Sequence, residues 1–185
     1  AAEAPKTRPV TAETFQDAPL GKRLGSGGEK EVFAVQGRDD IVIGILRNDD
    51  VALLEAEIGL LNRLKAAGVP TVKVLGITTH DGRPAIVMER MVLGSKNVVN
   101  SKKGKVEIVG ESELLNARSI KDLNLIKKRM QKAQIRVHDL QFLIGADGRV
   151  VVADPVDVLM DENPSATNLQ TIDQLILAAQ RNLPK

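Results

Sequence analysis

The stretch VHDLQFLIGADGRVVVADP, residues 137–155, decides the fold. Its short apolar runs on either side of Asp147-Gly148 predict two β-strands joined by a tight turn. Asp139 stands just before the first strand and Asp154 just after the second. Because a hairpin brings its open ends together, we expect these two carboxylates to be neighbours. A strand pair with a carboxylate at each open end is typical of a metal-dependent phosphotransferase, which holds Mg²⁺ beside a nucleotide.

The composition excludes several other kinds of site. The 185 residues include no cysteine, which rules out disulfides, a thiol nucleophile and a cysteine-based metal site. Only two histidines occur, His80 and His138, which argues against a zinc site. Charged residues make up 27% of the chain and nearly cancel at a formal net charge of +2, which argues against disorder and against nucleic-acid binding. No apolar run is long enough to cross a bilayer, and no secretory signal peptide is visible.

The chain divides into three parts by its patterns. Residues 1–21 are rich in Ala, Pro, Thr and Glu, and we expect a flexible lead-in there. Residues 22–91 are rich in strand patterns and contain one helix, near residues 51–67. Residues 92–185 hold helix patterns around the hairpin, which predicts a small, mainly helical second lobe. This order predicts an α+β chain of two lobes with a cleft between them.

A glycine-rich loop lies near the start of the second part, between two predicted strands. Glycine lets a backbone approach phosphates closely and point N–H groups at them. A dinucleotide-binding fold would follow such a loop with a helix, whereas the pattern here is that of a strand, which favours the kinase form. An ordinary hairpin turn has the same composition and is the alternative. The candidate nucleotide-binding residues of the loop and its following strand are Gly25, Ser26, Gly27, Gly28, Lys30 and Val32.

A strand-borne cation and a helix-borne acid form a second candidate group. Arg47 follows the apolar strand 41–46, where a kinase has a lysine that bridges the nucleotide phosphates and a helix glutamate. Glu57 lies on the predicted helix and is the natural partner of this catalytic cation. Arginine keeps the charge but is not equivalent to lysine. The alternative is that Arg47 and Glu57 are solvated surface charges.

The segment 86–91 resembles the last strand and the hinge of a kinase small lobe. Backbone groups near Glu89 and Met91 are candidates to hydrogen-bond the edge of an adenine. A plain half-buried strand has the same local pattern and is equally consistent.

The hairpin carries the candidate catalytic groups. Asp139 is the candidate base, or orienter, for an acceptor hydroxyl. Gln141 offers an amide oxygen and Asp154 a carboxylate, and Mg²⁺ prefers such oxygen ligands. Asp147-Gly148 is better explained by turn chemistry than by a site. The alternative is that Asp139 and Asp154 merely cap strand ends.

Two basic clusters, at 102–105 and 127–129, lie outside these motifs. Runs of charge are usually solvated faces. They are also candidates to dock an acidic protein substrate.

Taken in order, these parts resemble a protein kinase reduced in size, from about Leu24 to Asp157. More narrowly, they are similar to the HopBF family of minimal bacterial effector and toxin kinases. The string from Asp139 to Ile144 is the specific part of this resemblance, whereas the glycine loop is not specific. The similar stretches are 25–33, 57–64, 110–116, 139–144 and 168–173, so nearly the whole chain is covered.

The resemblance implies a reduced bilobal protein kinase-like fold and an enzyme that uses ATP and Mg²⁺. It implies that bacteria secrete the kinase and that it acts in the host cytoplasm. There it would phosphorylate a serine of the heat-shock chaperone of the ninety-kilodalton class and so inactivate the chaperone. By position, Asp139 is the catalytic-loop aspartate, Gln141 stands for the metal-binding asparagine, Asp154 is the metal aspartate and Glu57 is the helix glutamate. We expect a monomer that binds this chaperone and neither nucleic acid nor a membrane.

Several departures from ordinary kinases bear on activity. The third glycine of the loop is replaced by Lys30, and Arg47 stands where other members of the family commonly have lysine. No Ala-Pro-Glu segment follows Asp154, so control by a phosphorylated activation loop is not expected. Two rival functions stay open: a pseudokinase that binds without chemistry, and a small-molecule phosphotransferase.

Overall fold

The computed structural model describes residues 10–185, so the first nine residues of the predicted lead-in lie outside it. The chain separates into two compact units. The first contains the residues up to Leu54 together with 73–90, and the second contains 55–72 together with 91–185. The chain enters the second unit for the last time after Arg90, one residue before the boundary predicted between the two lobes. The helix that the sequence assigns to the first lobe lies mostly in the second unit.

The first unit is built on a five-stranded antiparallel sheet in the order β1-β2-β3-β5-β4. The strands are β1 (Leu20–Ser26), β2 (Lys30–Val35), β3 (Arg38–Leu46), β4 (Val74–His80) and β5 (Arg83–Glu89). The central strand β3 is buried from Ile41 to Leu46. This segment is rich in β-branched residues, which pack well on a pleated surface.

The two faces of this sheet differ because side chains alternate along each strand. One face carries Ile43, Ile45 and Val87, which form a core with Ala12 and Phe15. The last two residues belong to a 3-10 turn, Ala12–Phe15, that precedes β1. The expectation of a flexible lead-in as far as residue 21 is therefore wrong for the described residues, because this turn is buried against the sheet and β1 begins before residue 21.

The second unit combines helices with more short strands than the single hairpin that the sequence predicts there. Its helices are α1 (Val51–Ala66), which begins in the first unit, α2 (Ala117–Ala133) and α3 (Ala166–Arg181). Its strands are β6 (Leu93–Gly94), β7 (Val99–Lys102), β8 (Lys105–Ile108), β9 (Ile135–His138), β10 (Gln141–Ile144), β11 (Val150–Ala153) and β12 (Asp157–Met160). Leu123, Phe142 and Ile172 are buried together in the core of this unit. Among the helices of residues 10–185, none is both long and apolar enough to span a bilayer.

The predicted hairpin is formed by β10 and β11, which pair antiparallel over their full lengths. A second ladder pairs β9 with β12, and β6 adds to the open edge of β10. The turn of the hairpin is closed by a hydrogen bond from the Gly148 N–H to the Gly145 carbonyl, at 3.0 Å. Asp147-Gly148 therefore serves the turn, as its composition predicts.

The N-terminus of α2 holds this turn in place. Asn116 caps the helix by accepting hydrogen bonds from the N–H groups of Arg118 and Ser119, at 2.9 and 3.3 Å. The Asn116 amide also donates to the Asp147 carbonyl, at 3.0 Å. The buried Ser119 hydroxyl donates to the Gly148 carbonyl, at 2.5 Å. Helix cap and hairpin turn therefore form one hydrogen-bonded junction.

The carboxylate of Asp147 adds an electrostatic contribution to the junction. It accepts a hydrogen bond from the Arg149 backbone N–H at 3.1 Å and pairs with Arg118 at 2.6 Å. The Arg149 backbone bond first, and the charges of both arginines after it, hold the pKa of Asp147 below its usual value. Because the folded pKa is lowered, the stabilisation is present above the unfolded pKa and is lost as the pH falls through the folded pKa.

Replacing Gly148 with alanine tests the junction. Gly148 has a φ of +86°, and an added Cβ would collide with the Asn116 side chain. The left-handed backbone costs an L-residue about 1–2 kcal/mol, and disturbing the helix cap costs about 1 kcal/mol more. We therefore expect Gly148→Ala to lower the free energy of unfolding by about 2–3 kcal/mol, measured by urea denaturation.

The matched control is Gly104→Ala, in the turn between β7 and β8. Gly104 has a φ of +77°, but an added Cβ there would meet no atom within 4 Å among the described residues. This variant should lose only the backbone contribution. Equal losses in the two variants would contradict the packing argument.

Candidate active site

Two short crossovers bring the predicted carboxylates together in the second unit. Only Asp139 and Leu140 separate β9 from β10, and only residues 154–156 separate β11 from β12. Both crossovers connect the same two ladders, since β9 pairs with β12 and β10 pairs with β11. Asp139 and Asp154 therefore stand on adjacent segments at the open end of the hairpin.

Both aspartates have a left-handed backbone. The φ of Asp139 is +56° and that of Asp154 is +50°. Such values are uncommon for residues other than glycine, although aspartate tolerates them better than most. The conformation turns the chain sharply enough to pass between ladders in two or three residues. Asp161, outside the crossovers, also has a φ of +58°, so the backbone alone does not mark the site.

Two side chains approach the same oxygen of Asp139. The Gln141 amide donates to Oδ2 at 2.6 Å, and the Lys96 ammonium lies 3.9 Å from Oδ2. The Asp139 side chain is still 44% exposed. The carboxylate is therefore oriented by its neighbours while a reacting group can reach it, as a general base requires.

Lys96 reaches the site from the 3-10 turn Ser95–Asn97. This turn is fixed to β10, because the buried Ser95 hydroxyl accepts a hydrogen bond from the Phe142 N–H at 2.9 Å. The sequence did not single out Lys96, since it lies in a polar segment with no local signal for a site.

Asn168 holds the strand that leads into Asp139. This residue is buried in the first turn of α3. Its amide donates to the Val137 carbonyl at 2.7 Å, and its oxygen accepts from the Val137 N–H at 3.0 Å. Both backbone groups of a buried residue are thereby satisfied. The sequence included Asn168 only within a stretch of family resemblance and gave it no role.

A cavity of about 340 Å³ adjoins Asp139 within the second unit. Its wall is built from the turn that carries Lys96, from β7 and β9, and from the start of α3. Lys96 and Arg136 are cationic lining residues, and Asp139 is the only acidic one. The cavity is therefore a space of the size of a ligand pocket, with both charged and apolar lining residues, beside the candidate base.

The glycine loop lies between β1 and β2 of the first unit, as the sequence predicts. The Gly27 N–H donates to the Lys30 carbonyl at 3.0 Å and closes the turn. An added Cβ on Gly25 or Gly28 would meet no atom within 4 Å among residues 10–185. Packing of the chain does not require glycine at these two positions, which leaves space for a ligand to approach the backbone.

Arg47 contacts the glycine loop itself. Its guanidinium pairs with Glu31 at 2.9 Å and donates to the Ser26 hydroxyl at 2.5 Å and the Gly27 carbonyl at 3.1 Å. These contacts stabilise one conformation of the loop. Glu57 lies half-buried on α1 in the second unit, and its pairing with Arg47 stays a prediction.

The other predicted nucleotide-binding residues lie along or after the sheet. Val32 is half-buried on β2. Glu89 ends β5, where its N–H donates to the Lys73 carbonyl and its carboxylate accepts from the Lys73 N–H, both at 2.9 Å. Met91 follows in the second unit. The contacts of Val32 with a nucleotide, and those of Glu89 and Met91 with an adenine edge, stay predictions.

The donor set available for a metal is small. Within residues 10–185 no group of three or more His, Cys, Asp or Glu side chains is arranged to hold a metal ion. The predicted ligands are one amide, Gln141, and one carboxylate, Asp154. Because the Gln141 Nε2 is directed at Asp139, its Oε1 is the atom that remains for a cation. This set fits Mg²⁺, which keeps several waters and binds one or two protein oxygens beside substrate phosphates.

Comparison with known proteins defines the class. A family model described as the type III secretion system effector HopBF1 kinase domain matches residues 1–183. The chain belongs to this family of effector kinase domains, which confirms the resemblance seen in the sequence. A curated relative, the type III effector protein HopBF1 of Pseudomonas syringae pv. syringae (strain FF5), is 27% identical over 148 residues. The match covers 76% of this chain and 72% of that protein.

Replacing Asn168 with alanine tests how the strand before Asp139 is held. The change leaves the N–H and the carbonyl of Val137 without their partner in a buried place. Each unsatisfied buried group costs about 1–3 kcal/mol, so we expect the free energy of unfolding to fall by about 2–4 kcal/mol. Asn124→Ala is the control, since Asn124 is exposed on α2, and should change stability by less than about 0.5 kcal/mol. Similar urea midpoints for the two variants would refute the role of Asn168.

Proposed function

We propose that the chain is an ATP- and Mg²⁺-dependent protein serine/threonine kinase whose two units are the lobes of a reduced kinase-like fold. The observation that carries the proposal is the pair of crossovers with Asp139 and Asp154 at the open end of one hairpin. Protein kinases use one aspartate to accept the proton of the acceptor hydroxyl and another to hold metal. Family membership supports the kinase class, and the local geometry supports the separate roles.

Asp139 acts on the acceptor. A serine or threonine hydroxyl attacks the γ-phosphorus in line, and its proton passes to the Asp139 carboxylate. The bond between the γ-phosphorus and the bridging oxygen breaks, and ADP leaves. Gln141 and Lys96 approach Oδ2. We therefore assign Oδ1 to the acceptor hydroxyl.

Gln141 and Asp154 would hold the metal. Bound Mg²⁺ neutralises phosphate charge and orients the transferring group. The Gln141 side chain would then do two things, because its nitrogen donates to Asp139 and its oxygen is left to bind the cation. One residue would thus connect the base with the metal site.

The glycine loop and the segment after β5 bind the nucleotide in this proposal. Backbone N–H groups of the loop approach the phosphates. Val32 covers the adenine ring, and backbone groups near Glu89 and Met91 hydrogen-bond its edge. Glu57 is proposed as the helix acid that a kinase pairs with its phosphate-binding cation.

We propose that bacteria deliver the chain into the host cytoplasm and that its substrate is a host protein. Family membership supports an effector role. The finer proposal, which rests on the resemblance, is a serine of the ninety-kilodalton heat-shock chaperone, inactivated by phosphorylation. The cavity beside Asp139 supports a protein acceptor, because it has space for a side chain that flanks the acceptor residue.

Transfer of labelled phosphate from ATP to purified chaperone, with Mg²⁺, tests the proposal. We expect the wild type to label the chaperone, and Asp139→Asn to lower kcat by about 10²–10⁴-fold, the contribution of a positioned base. Asp161→Asn is the matched control, because Asp161 is exposed and left-handed but lies beyond β12. This control should keep wild-type activity.

Two results would contradict the kinase assignment. Nucleotide binding by the wild type without transfer to the chaperone or to any other protein would leave the pseudokinase interpretation. Transfer to small hydroxyl compounds but not to protein would favour a small-molecule phosphotransferase.

Reversing the charge at the tip of the β7–β8 hairpin tests whether this hairpin helps to bind the protein substrate. β7 lines the cavity at Asp139, and its hairpin ends in Lys102, Lys103 and Lys105. If these lysines attract an acidic part of the substrate, replacing all three with glutamate should raise KM for the chaperone by about tenfold and leave kcat unchanged. The same triple change at exposed positions of α2, Lys121, Lys128 and Lys132, is the control for net charge. An equal rise in KM for both triple variants would contradict docking at the hairpin.

A further inference from the structure

Two cationic residues, Lys30 and Arg47, lie next to the glycine loop, and the strand register places them on opposite faces of the sheet. Lys30 stands directly opposite Leu46 of β3, and direct partners in a ladder point to the same face. Arg47 follows Leu46, so its side chain points to the other face. The ion pair of Arg47 with Glu31 agrees with this, because Glu31 stands opposite Ile45, the neighbour of Leu46.

The middle of the face that carries Arg47 is covered by the chain itself. Ile43 and Ile45 on this face pack against Ala12 and Phe15, and Phe15 is only 4% exposed. The guanidinium of Arg47 is engaged by three groups of the β1–β2 hairpin. The contacts of Arg47 are thus with the loop on this face, and we place a nucleotide under the glycine loop on the opposite face, which carries Lys30 and Val32.

That opposite face has a place for the side chain of Lys30. Gly44 lies on the same face as Leu46, and a Cβ added to Gly44 would come within 3.3 Å of Lys30 Cδ and 3.7 Å of Lys30 Cε. The stem of Lys30 thus runs across β3 over Gly44, where the missing side chain leaves room. Val32, the predicted adenine contact, is the direct partner of Gly44 and shares this face.

We propose that Lys30, and not Arg47, is the cation that contacts the nucleotide phosphates. Arg47 is then a positioning residue that holds the loop. The inference rests on the proposed kinase function and names the phosphate-binding residue of that site. The Lys30 carbonyl accepts the hydrogen bond that closes the glycine loop, so the amine belongs to the same turn whose backbone approaches the phosphates.

Steady-state kinetics of Lys30→Met and Arg47→Met test the proposal. We expect Lys30→Met to lower kcat/KM for ATP by about 10²–10³-fold, the range for loss of one donor that stabilises charge in the transition state. Arg47→Met loses a contact of the loop but no phosphate ligand, so its loss should stay below about tenfold, or about 1.4 kcal/mol. Lys132→Met, at an exposed position of α2, is the control for loss of one positive charge.

Moving the amine across the ladder distinguishes a phosphate contact from a structural role. Lys30→Leu combined with Leu46→Lys keeps the amine on the same face, and should regain at least about tenfold of the lost kcat/KM. Lys30→Leu combined with Arg47→Lys puts the amine on the other face and should regain none.

Circular dichroism checks the fold of each variant. If the ladder swap does not fold, Lys30→Arg is the second variant, and it should keep more activity than Lys30→Met because it keeps the charge.

Equal or greater loss in Arg47→Met, or rescue through Arg47→Lys, would overturn the inference. A wild type that binds ATP but transfers no phosphate would contradict the proposed function instead. In that case binding still tests the inference: Lys30→Met should weaken binding of a fluorescent ATP analogue but not of adenosine. Unchanged binding of the ATP analogue would refute the contact with phosphate.

Discussion

The antiparallel pairing of β10 with β11 is the constraint on which the rest of the candidate active site depends. Strands in a ladder lie about 4.8 Å apart, so the residues that leave the two strands at one end begin close together. Two and three residues then lead to the neighbouring ladder of β9 and β12. Crossovers this short leave little freedom. Asp139 and Asp154 cannot separate unless one of the two ladders opens.

This framework is weak by itself, because its strands have only four residues each. An isolated hairpin of that size is marginally stable in water. The described chain has four buried polar residues, and three of them bond to the framework or to its turn. Ser95 accepts from Phe142, Ser119 donates to Gly148, and Asn168 engages both backbone groups of Val137. A buried polar group is costly unless it is hydrogen-bonded, so these side chains and the backbone groups satisfy one another.

The sequence predicted the parts of the site that have local signals. The hairpin followed from two apolar runs and an Asp-Gly turn, and the glycine loop from its place between strand patterns. The turn at Phe15 was missed because its two buried residues stand in a polar segment. The other short strands of the second unit, β6 to β9 and β12, were missed because two to four residues are too few to show alternation. Lys96 and Asn168 carry no local signal, since each acts on residues more than thirty positions away.

The two cations of the first unit show how a position in a motif differs from a position in space. In the sequence, Arg47 stands at the strand position where a kinase has its phosphate-binding lysine. Judged by position alone, arginine in place of lysine favours a pseudokinase. Electrostatic stabilisation of phosphate depends on the distance and direction of the charge, and not on the strand that carries it. In an antiparallel sheet the direct partner across the ladder reaches the same face, and Lys30 is the direct partner of Leu46. An arginine at the lysine position is therefore no argument against catalysis when the neighbouring strand offers an amine on the face that binds the nucleotide.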